Sequence, residues 1–186
     1  MKKYAVIFFL PLVMMGCFSD AHGPTIDPQT EAPTDASPST PPPEVSPTNK
    51  VAMILRYYAS REESKCFDIG IAPEITPEAL LACSGYPTEL TDFGGNLGKG
   101  LCGIDSVGCM ASNCFCDNTK SWFFLHEVAD AWEVPLQGIS TFTVEVNHVI
   151  GFSWSAFDAT YNPIDVPTVS SIETLCVGEA ITCPAQ

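Results

Sequence analysis

The sequence predicts an α+β domain: a small, mostly antiparallel sheet with one short helix, held by disulfides and preceded by an export signal and a disordered linker. Three observations predict it. Apolar residues after position 50 fall in short runs, several with period-two alternation, bounded by Gly, Pro, Asn and Asp. Only one segment carries both a helix start and a helix stop. Eight cysteines lie after residue 65 and a single one before it.

The chain opens with Lys2 and Lys3, then an apolar run from Tyr4 to Met15, too short to span a bilayer and of the length of a signal-peptide h-region. The run ends at Met14-Met15-Gly16-Cys17, which resembles the lipobox of bacterial lipoproteins, with a small residue directly before a cysteine. The resemblance implies cleavage before Cys17 and acylation of its sulfur. Residues 1–16 are then the signal peptide, and Cys17 is a lipid anchor that makes the membrane a partner. Phe18, where an Asp would retain the protein at the inner membrane, implies the outer membrane or cell surface of a bacterial envelope.

Residues 17–49 form the linker. Eight prolines lie between Gly23 and Lys50, including Pro41-Pro42-Pro43, among Ser, Thr, Asp and Glu. Such sequence buries too little apolar surface to offset the entropy of ordering. It favours polyproline II, and about 3.1 Å per residue gives a reach of up to roughly 100 Å. Beyond Cys17 there are 22 acidic residues against six basic ones, a balance near −16. That charge repels phosphate backbones and excludes nucleic acid as a partner.

Residues 50–186 are the folded part. Val51 to Tyr58 is apolar on both faces for half its length, which predicts a central strand. Cys66 to Ala72 is a weaker strand candidate. Thr76 as N-cap, Pro77 at the first helical position and Glu78 in the first turn open a helix over Ala79 to Ala82 that cannot pass Gly85. Tyr86 to Lys99 holds six turn-formers and no periodicity, so it reads as a long exposed loop at the mouth of a site. Leu101 to Ile104 and Ser121 to Leu125 are further strands. In Ser140 to Asn147, Phe142, Val144 and Val146 alternate with Thr141, Thr143 and Glu145. Asn147-His148 then turns the chain, and Val149 to Ser155 returns with Ile150, Phe152 and Trp154 on one face, a hairpin.

Setting Cys17 aside leaves Cys66, Cys83, Cys102, Cys109, Cys114, Cys116, Cys176 and Cys183, an even number in an exported chain, which predicts four disulfides. Eight cysteines allow 105 connectivities. Only one pairing is singled out, Cys176 with Cys183 across a short loop. Reading Cys102, Cys109, Cys114 and Cys116 as a zinc site is the alternative. Their spacing departs from the paired thiolates of structural zinc sites, so no metal is expected.

All three tryptophans lie between Cys114 and Trp154. There the order Cys114-Phe115-Cys116, Trp122-Phe123-Phe124, Trp132, Gly138-Ile139-Ser140, the valine-rich strand and Gly151-Phe152-Ser153-Trp154 resembles bacterial domains related to the C-terminal β domain of transcobalamin and intrinsic factor. The strand from Val51, the helix at Pro77 to Ala82 and Gly103-Ile104-Asp105 fit the same order, so the resemblance covers roughly residues 51 to 155. Two positions depart from it: Phe124 stands where Tyr is usual, and Asn147-His148 replaces a Gly-Asp hairpin. The resemblance implies a β-grasp-like domain lying over a flat ligand, cobalamin in the vertebrate carriers. Those carriers complete their clamp with a helical barrel that no stretch of this sequence resembles.

The functional expectation is a non-enzymatic binding module. Trp122, Phe124, Trp132 and Trp154 would contact a small, flat or apolar ligand, a corrinoid if the resemblance carries function. The competing expectation makes these aromatics pure core, in an adhesion or scaffold module for an envelope protein or a glycan. No Gly-x-Ser-x-Gly, His-Glu-x-x-His or P-loop motif occurs, and His126 beside Glu127 and Asp130 is a grouping common by chance. Neither a catalytic residue nor a cofactor is assigned.

Overall fold

The computed structural model describes residues 49–183. The signal peptide, Cys17 and the linker lie outside the described residues, apart from Asn49. Asn49 already belongs to the domain, since its carbonyl accepts the Ile69 N–H at 3.0 Å.

The fold is mostly β. A six-stranded sheet has the order β11 (Ile181–Thr182), β2 (Arg61–Asp68), β1 (Lys50–Tyr58), β10 (Val149–Ala156), β7 (Lys120–Val128), β8 (Ala131–Glu133), beside a three-stranded sheet β4 (Thr88–Asp92), β5 (Lys99–Ile104), β6 (Val107–Gly108) and a short pair β3 (Glu74–Ile75), β9 (Val144–Glu145). Strand β1 (Lys50–Tyr58) is central, as its double-sided apolar pattern requires. Met53, Leu55 and Tyr57 point to one face and Ala52 and Ile54 to the other, all at most 1% exposed. A tight turn at Ala59-Ser60 leads into β2 (Arg61–Asp68), antiparallel to β1. The strand expected over Cys66 to Ala72 thus starts five residues earlier, because its first half, Arg-Glu-Glu-Ser-Lys, carries no apolar residue to betray it.

Helix α1 (Pro77–Ser84) forms as its termini dictate. Thr76 Oγ1 accepts the Ala79 N–H at 3.2 Å, and Gly85 ends the helix in the left-handed region at φ 75°. Beyond it the expected long loop is in part a strand. β4 (Thr88–Asp92) pairs antiparallel with β5 (Lys99–Ile104), which pairs with β6 (Val107–Gly108). The glycines concentrate between β4 and β5, where they make the connection and mask the strand before it.

Strand β7 (Lys120–Val128) is followed by a two-residue turn and β8 (Ala131–Glu133) at the sheet edge. The expected hairpin over Ser140 to Ser155 does not form. Gly138 O gathers the Thr141 and Phe142 N–H groups into a turn, and only β9 (Val144–Glu145) is extended, pairing with β3 (Glu74–Ile75). Asn147, at φ 65°, turns the chain and donates to Lys50 O at 2.7 Å. That bond delivers β10 (Val149–Ala156) alongside β1 in parallel, with β7 antiparallel on its other side. The expected alternation nevertheless holds, with Phe142, Val144 and Val146 turned inward and Thr141, Thr143 and Glu145 exposed.

One face of the large sheet carries the main core, in which Met53, Leu55, Phe67, Ile150 and Phe152 pack with Leu80 and Leu81 of α1 and with Leu101 and Ile104 of β5. The other face is covered by the segment after β10. There Ile172 and Leu175 of α2 (Ile172–Leu175) and Trp132 pack on Ala52, Ile54 and Val149. Arg56 fastens this cover by ion pairs to Asp165 at 2.7 Å and Glu62 at 2.9 Å.

The eight cysteines form four disulfides: Cys66–Cys176, Cys83–Cys183, Cys102–Cys114 and Cys109–Cys116. The expected Cys176–Cys183 bridge is therefore overturned. The chain between those two residues becomes β11 (Ile181–Thr182), which adds to the sheet beside Phe67 and Asp68. Cys176 is left on the α2 face and Cys183 on the α1 face, with the sheet edge between them. The four thiols of the zinc alternative are consumed in two interlaced bridges.

Candidate functional site

The aromatic residues expected at a ligand surface do not share one. Trp122 of β7 is 7% exposed, meets Tyr57 edge-on at 5.7 Å between ring centroids, and donates its Nε1–H to Val107 O at 2.9 Å. A Cβ at Gly108 would sit 2.6 Å from that nitrogen, so β6 closes directly over the indole. Trp154, the cross-strand partner of Trp122, and Phe124, packed tilted against Phe152 at 5.5 Å between ring centroids, are partly buried against the same core. Trp132 lies over the opposite face, with its Nε1–H on Pro167 O at 2.7 Å and its ring over Gly151. Three of the four are thus packed on one face and the fourth belongs to the other.

His126, Glu127, Glu145 and His148 border a cleft of about 210 Å³ at the end of the sheet where the chain enters β1. His126 stands edge-on to Phe142 at 5.1 Å and 3.8 Å from the Glu133 carboxylate. Burial, and then the charge of Asp130, raises the pKa of Glu127. Among the described residues, no three His, Cys, Asp or Glu side chains converge as a metal site would need.

A different aromatic group lies at the far end of the sheet, where Lys120 of β7 pairs with Ala156 of β10. Phe115, Phe123, Phe157 and Tyr161 line an open cavity of about 410 Å³, with Asp117, Asn118, Lys120 and Ser121 around it. Two loops built alike make its walls. Before β7, Asp117 Oδ1 accepts the Thr119 N–H and hydroxyl at 2.8 and 2.7 Å. After β10, Asp158 Oδ1 accepts the Thr160 N–H and hydroxyl at the same distances, and the Asn162 N–H at 3.0 Å. The hydrogen bonds from Thr119, and those from Asn162 and Thr160, hold the two carboxyls below the usual carboxylate range.

These loops hold rings out in solvent. Tyr161 is 75% exposed yet stacks on Phe157 at 5.4 Å and 21° between planes. Its φ of 62° is a left-handed conformation that costs a bulky residue energy, and the surrounding Asp158 hydrogen bonds enforce it. Phe115, 70% exposed, is held on both sides by disulfides, Cys114 to Cys102 in β5 and Cys116 to Cys109. No family model matches this chain, and no curated protein matches it. Its chemistry is therefore read from the geometry: an apolar, aromatic cavity with a few polar groups on its rim, in the size range of small-molecule sites.

Sequence reasoning missed all four cavity-lining rings, three of which, Phe115, Phe157 and Tyr161, are presented outside the long strands. A signal for the pair of loops exists. Asp-x-Thr occurs at 117–119, directly before β7, and again at 158–160, directly after β10, and each places an aspartate-capped turn next to an aromatic residue.

Proposed function

We propose that the chain is a lipid-anchored protein of the bacterial envelope whose domain is a non-enzymatic binding module for a small ligand with a flat or apolar face. The observation that carries this reading is the cavity of Phe115, Phe123, Phe157 and Tyr161, where two strongly exposed rings are fixed by covalent bridges and a strained turn. Holding apolar rings in water has no benefit to folding, so their use lies in recognition.

The order of the central strands supports a β-grasp-like description. A leading hairpin, β1-β2, is followed by a helix, and the last long strand, β10, runs parallel to β1 with β7 outside it. The resemblance to the transcobalamin β domain extends the proposal to a corrinoid. A corrinoid would have to lie over the mouth of the far-end cavity, because Trp122 is occupied by the core. One domain covers one side of such a ring, which limits affinity to roughly micromolar or weaker. Strand β1 begins at the end of the sheet opposite the cavity.

Two experiments test the proposal. Cells fed labelled palmitate should incorporate it at Cys17, and Cys17→Ser should release the protein in soluble form; an unlabelled, secreted wild type removes the anchor. The exported Cys17→Ser chain, titrated by calorimetry with an apolar dye and with cobalamin and cobinamide, should give heat with the dye that is lost in Tyr161→Gly; heat with a corrinoid would support that extension. Heat that survives in Tyr161→Gly would move the ligand away from this cavity.

A further inference from the structure

We infer that the ligand of the far-end cavity is a neutral oligosaccharide, lying as an extended chain across a row of rings. The inference rests on the binding-module reading and names its substrate class, in place of the corrinoid that the resemblance suggests. Its first support is the shape of the aromatic surface. Phe93, 43% exposed, packs on Phe115 at 5.8 Å; Phe115 shares the cavity with Phe123; Phe123 meets Phe157 at 6.3 Å, and Tyr161 stacks beyond it. Five rings, each adjacent to another, suit a ligand that repeats an apolar face at intervals. A pyranose chain does so, each sugar carrying C–H groups on its faces and hydroxyls at its edge. Stacking removes apolar area of both partners from water and leaves the hydroxyls at the rim.

The rim supplies the second support. Asp117 offers acceptors, Lys120 donors, and Asn118 and Ser121 both. The Asp117 carboxylate is already oriented by its bonds to Thr119 and the Lys120 N–H, so little is lost in ordering it. Both charge signs stand at the same mouth. A cation would face Lys120, and an anion would face Asp117 and a chain of net charge −14. A neutral polyol uses donors and acceptors alike. The chain's own proline-rich stretch, residues 33–47, is another conceivable occupant of an aromatic row. It carries Asp35 and Glu44 and no Lys or Arg, which sets it against the charge of the domain.

The test uses the Cys17→Ser chain and calorimetric titration with the hexaoses and disaccharides of cellulose, chitin, xylan and maltose. An apolar fluorescent dye and the peptide 33–47 serve as the competing probes. At least one hexaose should bind at about 10 µM to 1 mM, tighter than its disaccharide by about fivefold or more, and change by less than about twofold between low and high salt. Tyr161→Gly should weaken it about tenfold without lowering the melting temperature, because glycine accepts φ 62° and relieves the strain. Asp117→Asn, which can still cap its turn, should weaken it as well. If the dye binds the wild type and not Tyr161→Gly while no hexaose binds up to about 10 mM, the saccharide class falls and the site stands. If neither binds, both fall. Binding of the peptide in place of the sugars also overturns the saccharide class.

Discussion

Two aromatic clusters built from similar side chains have opposite fates in this domain. Trp122, Phe152 and Trp154 sit on paired, alternating positions of β7 and β10, and with Tyr57 of β1, at its irregularity opposite β2, they make the core. Phe93, Phe115, Phe157 and Tyr161 lie before or after strands, and three of them are at least 43% exposed. The difference teaches that residue type says little about role in a small β domain. Position relative to the sheet decides, and the covalent and hydrogen-bonded frame of the loops decides for those outside it.

The strongest way to break the comparison is to truncate one ring from each cluster. Trp122→Ala removes the contacts with Tyr57 and Trp154 and the hydrogen bond to Val107, and should cost about 3–5 kcal/mol, a large part of a typical domain's stability. Phe115→Ala, at a site 70% exposed, should cost less than about 1 kcal/mol. Urea midpoints measure both, and similar losses would erase the distinction.

A finer test stays inside the core. The Tyr57 side chain is buried, and its hydroxyl has no partner among the described residues. Tyr57→Phe should therefore raise stability by about 1 kcal/mol, where Tyr161→Phe outside should change nothing measurable. Burial pushes the Tyr57 pKa up to about 12. The unfolded chain loses this proton near pH 10 and the folded one near 12, so wild-type stability falls as pH rises through that window. Tyr57→Phe should flatten this alkaline loss; an unchanged slope would place it elsewhere.

The smallest effect concerns the entry end of the sheet. Glu127 has its pKa raised by burial and by Asp130, so the folded state holds its proton at a pH where the unfolded chain has released it. Stability then falls as pH rises through the raised value. Glu127→Gln should raise stability slightly at neutral pH, and the gain should vanish in acid, where the carboxyl is protonated in both states. A gain that persists in acid would have another cause.

Much of the frame was legible in the sequence, for identifiable reasons. β1 announced its central place by being apolar on both faces, and α1 by Thr76, Pro77 and Gly85. Local rules failed where partners are distant. The clear alternation at 142–146 suggested a hairpin with its neighbour, whereas β10 is claimed by β1, about one hundred residues earlier. Cys176 and Cys183 seemed paired by proximity, yet a strand that runs between them sends each to a different side of the sheet. The cavity was illegible because its walls come from loops at 115–121 and 157–161, which only the β7–β10 pairing brings together.

The parallel course of β1 and β10 has a mechanical consequence. A load applied at Lys50, against a hold on the far end of β10 near Ala156, pulls lengthwise along β1. That strand lies between β2 and β10, so the force loads both hydrogen-bond ladders in shear, with the bonds sharing the strain together. A strand at the edge, pulled sideways, would instead peel one bond at a time. Resistance to forced opening is set by the unfolding rate, and shear along β1 keeps that rate lower than peeling from an edge would.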